Sequence, residues 1–231
     1  WGVSVCAKDL LADAWLNEGF ATYSELIYFE HLGRKDESAR LLRDWAASCR
    51  RLIAKGTDEP LNSPHTTEAI FPLAYHKGAY VLHMLRKVVG DEKFLAILQE
   101  YLRQHQGTLV TTNDFQKICE GVTGEKLDWF FEQWTRLPGA PELELNEVRM
   151  EKKDSSFLVK GHLIQRGQRI FKIPAEIKLT TQDQKETKFV VWSEEEDTEF
   201  LTTANAEPKA IRVDPENNLL KLREVPGITF V

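Results

Sequence analysis

Cysteine is scarce in this sequence, with three residues, Cys6, Cys49 and Cys119, among 231. They are too few and too widely spaced for a disulfide framework, and no two have the short paired spacing of a zinc knuckle. We therefore expect buried, unpaired thiols at all three positions.

Basic charge and long apolar runs are also lacking. Thirty Lys and Arg residues stand against 36 Asp and Glu, a net charge of −6, whereas nucleic-acid-binding surfaces are normally basic. No run approaches the roughly 18 uncharged apolar residues of a transmembrane helix, and the first residues lack the basic and apolar regions of a secretory signal. The composition argues against nucleic-acid partners and a transmembrane segment, and it indicates no cellular compartment.

Two kinds of hydrophobic pattern are present, and they change over at Pro138-Gly139-Ala140-Pro141. Before this point, apolar residues recur at helical spacing. We predict helices that begin at Asp36 and Asp91, a third that Thr112 caps, and a fourth over 127–137 that Pro138 ends. The first part of the chain is therefore predicted to be all helical.

After Pro141 the pattern has a period of two, which is typical of strands. Apolar residues occupy every odd position from 171 to 179, as in a half-buried strand. Pro174 within this run indicates a sheet edge or a bulge. Similar short runs occur at 143–150, 157–164, 188–192, 198–203, 209–213 and 219–223. About seven short strands separated by turn residues predict a small β-sandwich.

The segment from Asp13 to Tyr23, D-A-W-L-N-E-G-F-A-T-Y, is the most informative one. It has the pattern of a helix in which Glu18 lies among apolar neighbours. A carboxylate in such surroundings must be paired, hydrogen-bonded or bound to a metal, because an isolated buried charge is too costly. From the residues alone, a salt bridge is favoured over a metal, and Asp13 and Asn17 are expected to shape the helix that presents Glu18.

The run W-L-N-E-G-F-A-x-Y, Trp15 to Tyr23, resembles a motif of the aminopeptidase N and leukotriene A hydrolase family of zinc metallopeptidases, the gluzincins. In that family an H-E-x-x-H helix supplies two zinc ligands, and the glutamate of N-E-G-F-A supplies the third. The resemblance implies that Glu18 is a zinc ligand. H-E-x-x-H does not occur in these 231 residues, and none of the six histidines form an i,i+4 pair. Because Trp1-Gly2 resembles the tail of the family's H-Q-W-x-G segment, we expect the second histidine just upstream of Trp1.

A second run, Tyr75 to Arg86, resembles the family's Y-x-K-G-x-x-V-L-x-M-L segment. The resemblance implies that Tyr75 donates a hydrogen bond to the oxyanion that forms on the scissile carbonyl; for a lone tyrosine, anchoring the start of a helix would be the default interpretation. Glu25 lies seven residues beyond Glu18 and hence on the same helical face. It is equally well interpreted as an acceptor for a zinc-bound histidine or as a salt-bridge partner.

The run Trp134 to Pro141 resembles the family's W-x-x-x-P-G-x-P junction, at the position where the pattern changes. The resemblance implies an α+β, multidomain fold. Residues 1–137 would be the all-helical C-terminal part of a thermolysin-like catalytic domain, and residues 138–231 a β-sandwich.

The resemblance implies an aminopeptidase that uses one zinc ion to hydrolyse peptides with a free N-terminus. The family's G-x-M-E-N loop, which binds the substrate amine, is also absent from the sequence. We therefore expect this chain alone to be inactive and to bind no zinc. We also expect an apolar face on residues 1–30, where the missing N-terminal half would pack or the chain would self-associate.

Two other functions stay open on the sequence. One is a non-catalytic scaffold of the same fold that binds protein partners, and the other is the family's epoxide-hydrolysing branch. The residues upstream of Trp1 discriminate the scaffold from the enzyme, because loss of either histidine of H-E-x-x-H would favour the scaffold.

Overall fold

The computed structural model describes residues 1–230, except for the side chains of residues 67 and 68. The chain divides into two compact units, Trp1–Gly139 and Ala140–Val231. Helices make up almost all regular structure of the first unit, and antiparallel strands that of the second. The predicted α+β class is confirmed.

The first unit contains seven α-helices, two π-helical segments and one pair of very short parallel strands within the described residues. The α-helices are α1 (Ala14–His31), α2 (Lys35–Lys55), α3 (Thr67–Phe71), α4 (Gly78–Val89), α5 (Asp91–His105), α6 (Thr112–Thr123) and α7 (Asp128–Phe131). The π-helical segments are Pro72–Lys77, between α3 and α4, and Glu132–Arg136, after α7; the strands are β1 (Cys6–Ala7) and β2 (Leu109–Val110).

The N-cap predicted at Thr112 was wrong by one residue. Thr111 caps α6: its hydroxyl accepts from the backbone N–H of Asp114, and the Asp114 carboxylate accepts from the backbone N–H of Thr111. This reciprocal pair satisfies two N–H groups that a helix start leaves without partners. Thr112 is instead buried, and its hydroxyl bonds to Asp13 and Trp15 of the α1 region.

An aromatic cluster forms part of the core of the first unit. The ring of Phe20 from α1 lies 5.5 Å from that of Tyr101 in α5 and 5.1 Å from that of Phe115 in α6. All three rings are buried. Burying such rings against each other fixes α1 between two other helices, so the segment that carries Glu18 belongs to the rigid core.

The second unit consists of two antiparallel sheets, one of three strands in the order β3-β4-β7 and one of four in the order β6-β5-β8-β9. The strands are β3 (Glu142–Lys153), β4 (Ser156–Arg166), β5 (Ile173–Thr181), β6 (Glu186–Ser193), β7 (Asp197–Ala204), β8 (Pro208–Val213) and β9 (Ile228–Thr229). Six of them coincide with predicted runs. Gln165 of β4 donates to Ser193 of β6, which ties the two sheets together.

At Pro174, strand β5 pairs with β6 on one side only, because its pairing with β8 on the other side begins at Ile177. Pro174 therefore lies at a locally unpaired edge of the sheet, where a proline is tolerated. One prediction about the strands was wrong. Residues 219–223 form no strand. Leu219, Leu220 and Lys221 are instead buried in an irregular segment, in which Lys221 binds Asp214.

Candidate functional site

Helix α1 and the start of α4 meet where two glycines face each other. A Cβ atom on Gly19 would lie 2.9 Å from the carbonyl carbon of Gly78, and one on Gly78 would lie 3.2 Å from the Cα of Gly19. Real side chains do not tolerate the first distance, so the two backbones are in direct contact. Because Glu18 precedes Gly19 and Tyr75 lies three residues before Gly78, this contact also brings Glu18 and Tyr75 together.

The hydroxyl of Tyr75 lies beside the carboxylate of Glu18, close enough for that carboxylate to act on the Tyr75 pKa. Both side chains are half-buried. Removal from water raises the pKa of Tyr75, and the neighbouring carboxylate of Glu18 raises the pKa further. Tyr75 is therefore a neutral phenol that keeps its proton for donation.

Tyr75 lies in the π-helical segment Pro72–Lys77, which sequence patterns did not reveal. In a π-turn the backbone hydrogen bonds skip one residue more than in an α-turn, and such turns are frequent at functional sites. The ring of Phe71 stacks on that of Tyr75 with centroids 4.5 Å apart. Phe71 is 56% exposed, so an aromatic surface lies open beside the phenol.

A buried ion pair holds the end of this segment. Lys77, two residues after Tyr75, is 0% exposed, and its Nζ lies 3.0 and 2.9 Å from the two carboxylate oxygens of Asp58. Asp58 also accepts from the backbone N–H of Gly139. Sequence reasoning missed this pair, because nothing in the sequence near Lys77 or Asp58 connects the two positions.

The N-terminal part of α1 is anchored by its polar residues. A carboxylate oxygen of Asp13 accepts from the backbone N–H of Thr112 at 2.8 Å, and the side-chain oxygen of Asn17 accepts from the N–H of Ala7 at 2.9 Å. These contacts tie the helix that presents Glu18 to α6 and to β1.

The far end of α1 is held by Arg86 of α4, which contacts Glu30 at 2.6 Å and the Tyr23 hydroxyl at 3.4 Å. Glu25 is solvent-exposed on the same helix, two turns beyond Glu18. Both interpretations of Glu25 stay predictions.

Glu18 is the one predicted zinc ligand in this chain. Its carboxylate is of a type that binds zinc, and it lies beside a neutral phenol. Within the described part of the chain, no three His, Cys, Asp or Glu side chains are grouped so that they could hold a metal ion. The residues present thus fit one ligand of a zinc site. In the same part of the chain, no helix has the length and apolar character needed to cross a membrane.

Comparison with solved structures gives similar folds. Aminopeptidase A of Legionella pneumophila, in complex with aspartic acid, superposes with a TM-score of 0.72 and 20% identity over 99% of this chain and 25% of that one. An M1 zinc metallopeptidase of Deinococcus radiodurans, bound to a Tyr-Ser-Ala substrate, superposes with a TM-score of 0.50 and 32% identity over 58% of this chain and 29% of that one. The first likeness, at this low identity, concerns the fold alone.

Sequence relatives are aminopeptidases of very different organisms. Glutamyl aminopeptidase of Bitis rhinoceros is 30% identical over 155 residues, which are 63% of this chain and 16% of the relative. Aminopeptidase M1 of Arabidopsis thaliana is 26% identical over 168 residues, which are 70% of this chain and 19% of the relative. The chain therefore spans less than a fifth of these relatives' length.

The family description "Peptidase family M1 domain" matches residues 4–134. This range is more than half of the chain, and it contains α1, the first π-helical segment and both members of the Glu18–Tyr75 contact. By this match, the chain belongs to peptidase family M1.

Proposed function

We propose that this chain forms part of the active site of a zinc-dependent aminopeptidase, with Glu18 as a zinc ligand and Tyr75 as the donor to the oxyanion. The observation that carries the proposal is the proximity of the Tyr75 hydroxyl to the Glu18 carboxylate, across the close contact of Gly19 with Gly78. It joins two residues that are 57 positions apart and that were selected from separate motifs. A zinc ligand and an oxyanion donor must serve the same reacting carbonyl, so they have to be neighbours.

The chemistry follows from the two side chains. A bound zinc ion would polarise the scissile carbonyl and lower the pKa of a water molecule. Glu18 would hold the ion through a carboxylate oxygen. Tyr75, kept protonated, would turn its hydroxyl from Glu18 to the oxygen of the tetrahedral intermediate and donate a hydrogen bond there.

The remaining parts of the site come, in this proposal, from outside these 231 residues. H-E-x-x-H would provide two histidine ligands and the general base, and no such motif occurs in the chain. We therefore propose that the isolated chain is inactive and that it takes up no zinc tightly, because one carboxylate does not make a tetrahedral site. Tight one-to-one uptake by the isolated chain that is lost on Glu18→Ala would contradict this.

The test is hydrolysis of aminoacyl-arylamides by the complete gene product, with and without a chelator. We expect Glu18→Gln to lose both zinc and activity. We expect Tyr75→Phe to retain zinc and to lower kcat by about 10²- to 10³-fold, the usual cost of removing an oxyanion donor. Tyr28→Phe is the matched control, since Tyr28 is an exposed tyrosine on α1.

If the complete gene product binds zinc but does not hydrolyse any arylamide, the result would contradict the proposal and favour the non-catalytic scaffold. A Tyr75→Phe variant with unchanged kcat would remove Tyr75 from the mechanism while leaving Glu18 as a ligand.

A further inference from the structure

A groove of about 800 Å³ opens beside the segment that carries Tyr75. It lies between the C-terminal half of α2, the connection from α2 to α3, and the start of the π-helical segment. Phe71 and His76, which flank Tyr75 in the sequence, both contribute to its wall. The groove is thus adjacent to the candidate site without including Glu18 or Tyr75 in its lining.

The polar lining of this groove is basic. Arg51 and Lys55 come from the last two turns of α2, four residues apart and hence on one face, and the lining also includes His65 and His76. Among the lining residues whose side chains are described, none is Asp or Glu. In a chain with a net charge of −6, this local excess of positive charge stands out.

The two cations of the groove are available for a ligand. Arg51 and Lys55 are solvent-exposed, and neither forms an ion pair with any residue whose side chain is described. His76 contributes a buried Nδ1 atom that has no hydrogen-bond partner in the same part of the chain. Burial lowers the pKa of His76 and the charge of Arg51 lowers it further, while Asp44 acts in the opposite sense. The imidazole is therefore a neutral group beside a fixed positive charge.

The groove is within reach of a peptide that is bound at Tyr75. Phe71 stacks on Tyr75 at 4.5 Å between ring centroids and also lines the groove. An extended peptide advances by about 3.3 Å per residue. Roughly two to four residues after the scissile bond would therefore lead past Phe71 into the groove.

We propose that this groove binds a carboxylate of the peptide substrate, either the C-terminal carboxylate of a short peptide or a downstream Asp or Glu side chain. The guanidinium of Arg51 suits a carboxylate because its N–H groups bind both oxygens at once. Lys55 adds a second positive charge, and Phe71 provides an apolar wall for the intervening residues. This substrate preference rests on the proposed function of Glu18 and Tyr75.

The proposal is tested by calorimetric titration of the 231-residue chain with short peptides at low ionic strength. One peptide carries glutamates after its second residue and a free C-terminus, and a matched neutral peptide carries glutamines and a C-terminal amide. We expect the charged peptide to bind at least about 10-fold more tightly, as for a charge-assisted pair. Two mixed peptides, each with one type of carboxylate, show which source the groove uses.

Variants locate the binding. Arg51→Gln combined with Lys55→Gln should reduce the affinity for the charged peptide to that for the neutral one. Arg43→Gln is the matched control, because Arg43 is exposed on the same helix and does not line the groove; it should leave the affinity unchanged. Equal affinity for charged and neutral peptides, or full affinity in the double variant, would overturn the proposal. So would inorganic phosphate that competes as well as the charged peptide, because the groove would then be a general anion site.

The failure of this inference can be told apart from failure of the proposed function. Glu18→Ala in this chain should leave binding of the charged peptide unchanged, since no groove residue depends on a metal. In the complete gene product, the Arg51 and Lys55 variants should raise KM for acidic peptides about 10-fold and leave kcat unchanged. An equal loss for the neutral peptide would contradict a carboxylate site.

Discussion

A single carboxylate among apolar neighbours can be stabilised in several ways. For Glu18, the sequence leaves the stabilising group open, and the structure shows which group lies next to it. From the residues alone a salt bridge was the favoured partner for Glu18. In the structure, Glu18 lies beside the phenol of Tyr75, which is a neutral group. A neutral neighbour brings no positive charge that would compete with a cation for the carboxylate. The sequence could not show this, because the partner lies 57 residues away.

The thiol of Cys49 is fully buried on α2, and this gives a prediction about reactivity and pH. Burial raises its pKa from 9.0 to about 12, so the thiol of the folded protein stays protonated where an unfolded thiol ionises. Stability that depends on Cys49 is therefore present below about pH 9 and decreases as the pH rises towards 12.

We expect iodoacetamide near pH 8 to modify the half-exposed Cys6 and to spare Cys49 and Cys119 until denaturant is added. Rapid labelling of Cys49 in the native protein, followed by mass spectrometry, would contradict this.

At the scale of helices, the contact between α1 and α4 depends on Gly19 having no side chain. We expect Gly19→Ala to lower the free energy of unfolding by about 1–3 kcal/mol, because the new Cβ overlaps the backbone of Gly78. The measurement is urea denaturation of the helical unit, followed by tryptophan fluorescence.

Gly121→Ala is the matched control for this substitution. Gly121 lies in α6, and a Cβ there would meet no atom within 4 Å. This variant should gain stability by about 0.5–1 kcal/mol through the better helix propensity of alanine. If both variants change the free energy of unfolding in the same direction, the close approach of Gly19 and Gly78 does not explain the effect of Gly19→Ala.

The buried ion pair of Lys77 and Asp58 belongs to the same scale, because it fixes the end of the π-helical segment. Removing one partner of a buried pair leaves an uncompensated charge and typically costs about 3–5 kcal/mol. We therefore expect Lys77→Met to destabilise the helical unit by this amount in the same urea experiment. Arg103→Gln removes one partner of an exposed pair with Glu100 and should cause no measurable change. A Lys77→Met variant as stable as the parent protein would show that Asp58 finds another partner or takes up a proton.

Most helices and strands could be predicted from periodicity, and the exceptions have a common physical cause. Helix α5 begins at Asp91 as predicted, and six of the seven predicted strands are present. The run 219–223 has enough apolar residues for a strand, but in the structure its Lys221 is buried against Asp214 and the segment joins no sheet. The short parallel pair β1 and β2 and the π-helical segments depend on tertiary contacts, so local sequence patterns do not predict them.

For the whole molecule, exposed apolar residues near the start of the chain give a further prediction. Val3 and Leu10 are 91% and 72% exposed, and Leu11 is also exposed. We expect the isolated chain to associate reversibly with increasing concentration in sedimentation velocity, because such groups gain by removal from water. Leu10→Glu with Leu11→Glu should abolish the association, whereas Leu201→Glu, at an exposed leucine of β7, should not. A monomer at every concentration would contradict the prediction.

Because Tyr75 lies in the π-helical segment Pro72–Lys77, its orientation towards Glu18 depends on the number of residues in that segment. A π-turn holds one residue more than an α-turn, and each residue of an α-helix turns the chain by about 100°. Deleting His76 would shorten this segment by one residue between Tyr75 and Gly78 and would leave the ion pair of Lys77 and Asp58 its two partners. The deletion would nevertheless rotate everything before it relative to Gly78, and an intact tyrosine would point away from Glu18. A relative that is one residue shorter at this point can therefore retain both motif residues and still lack the site.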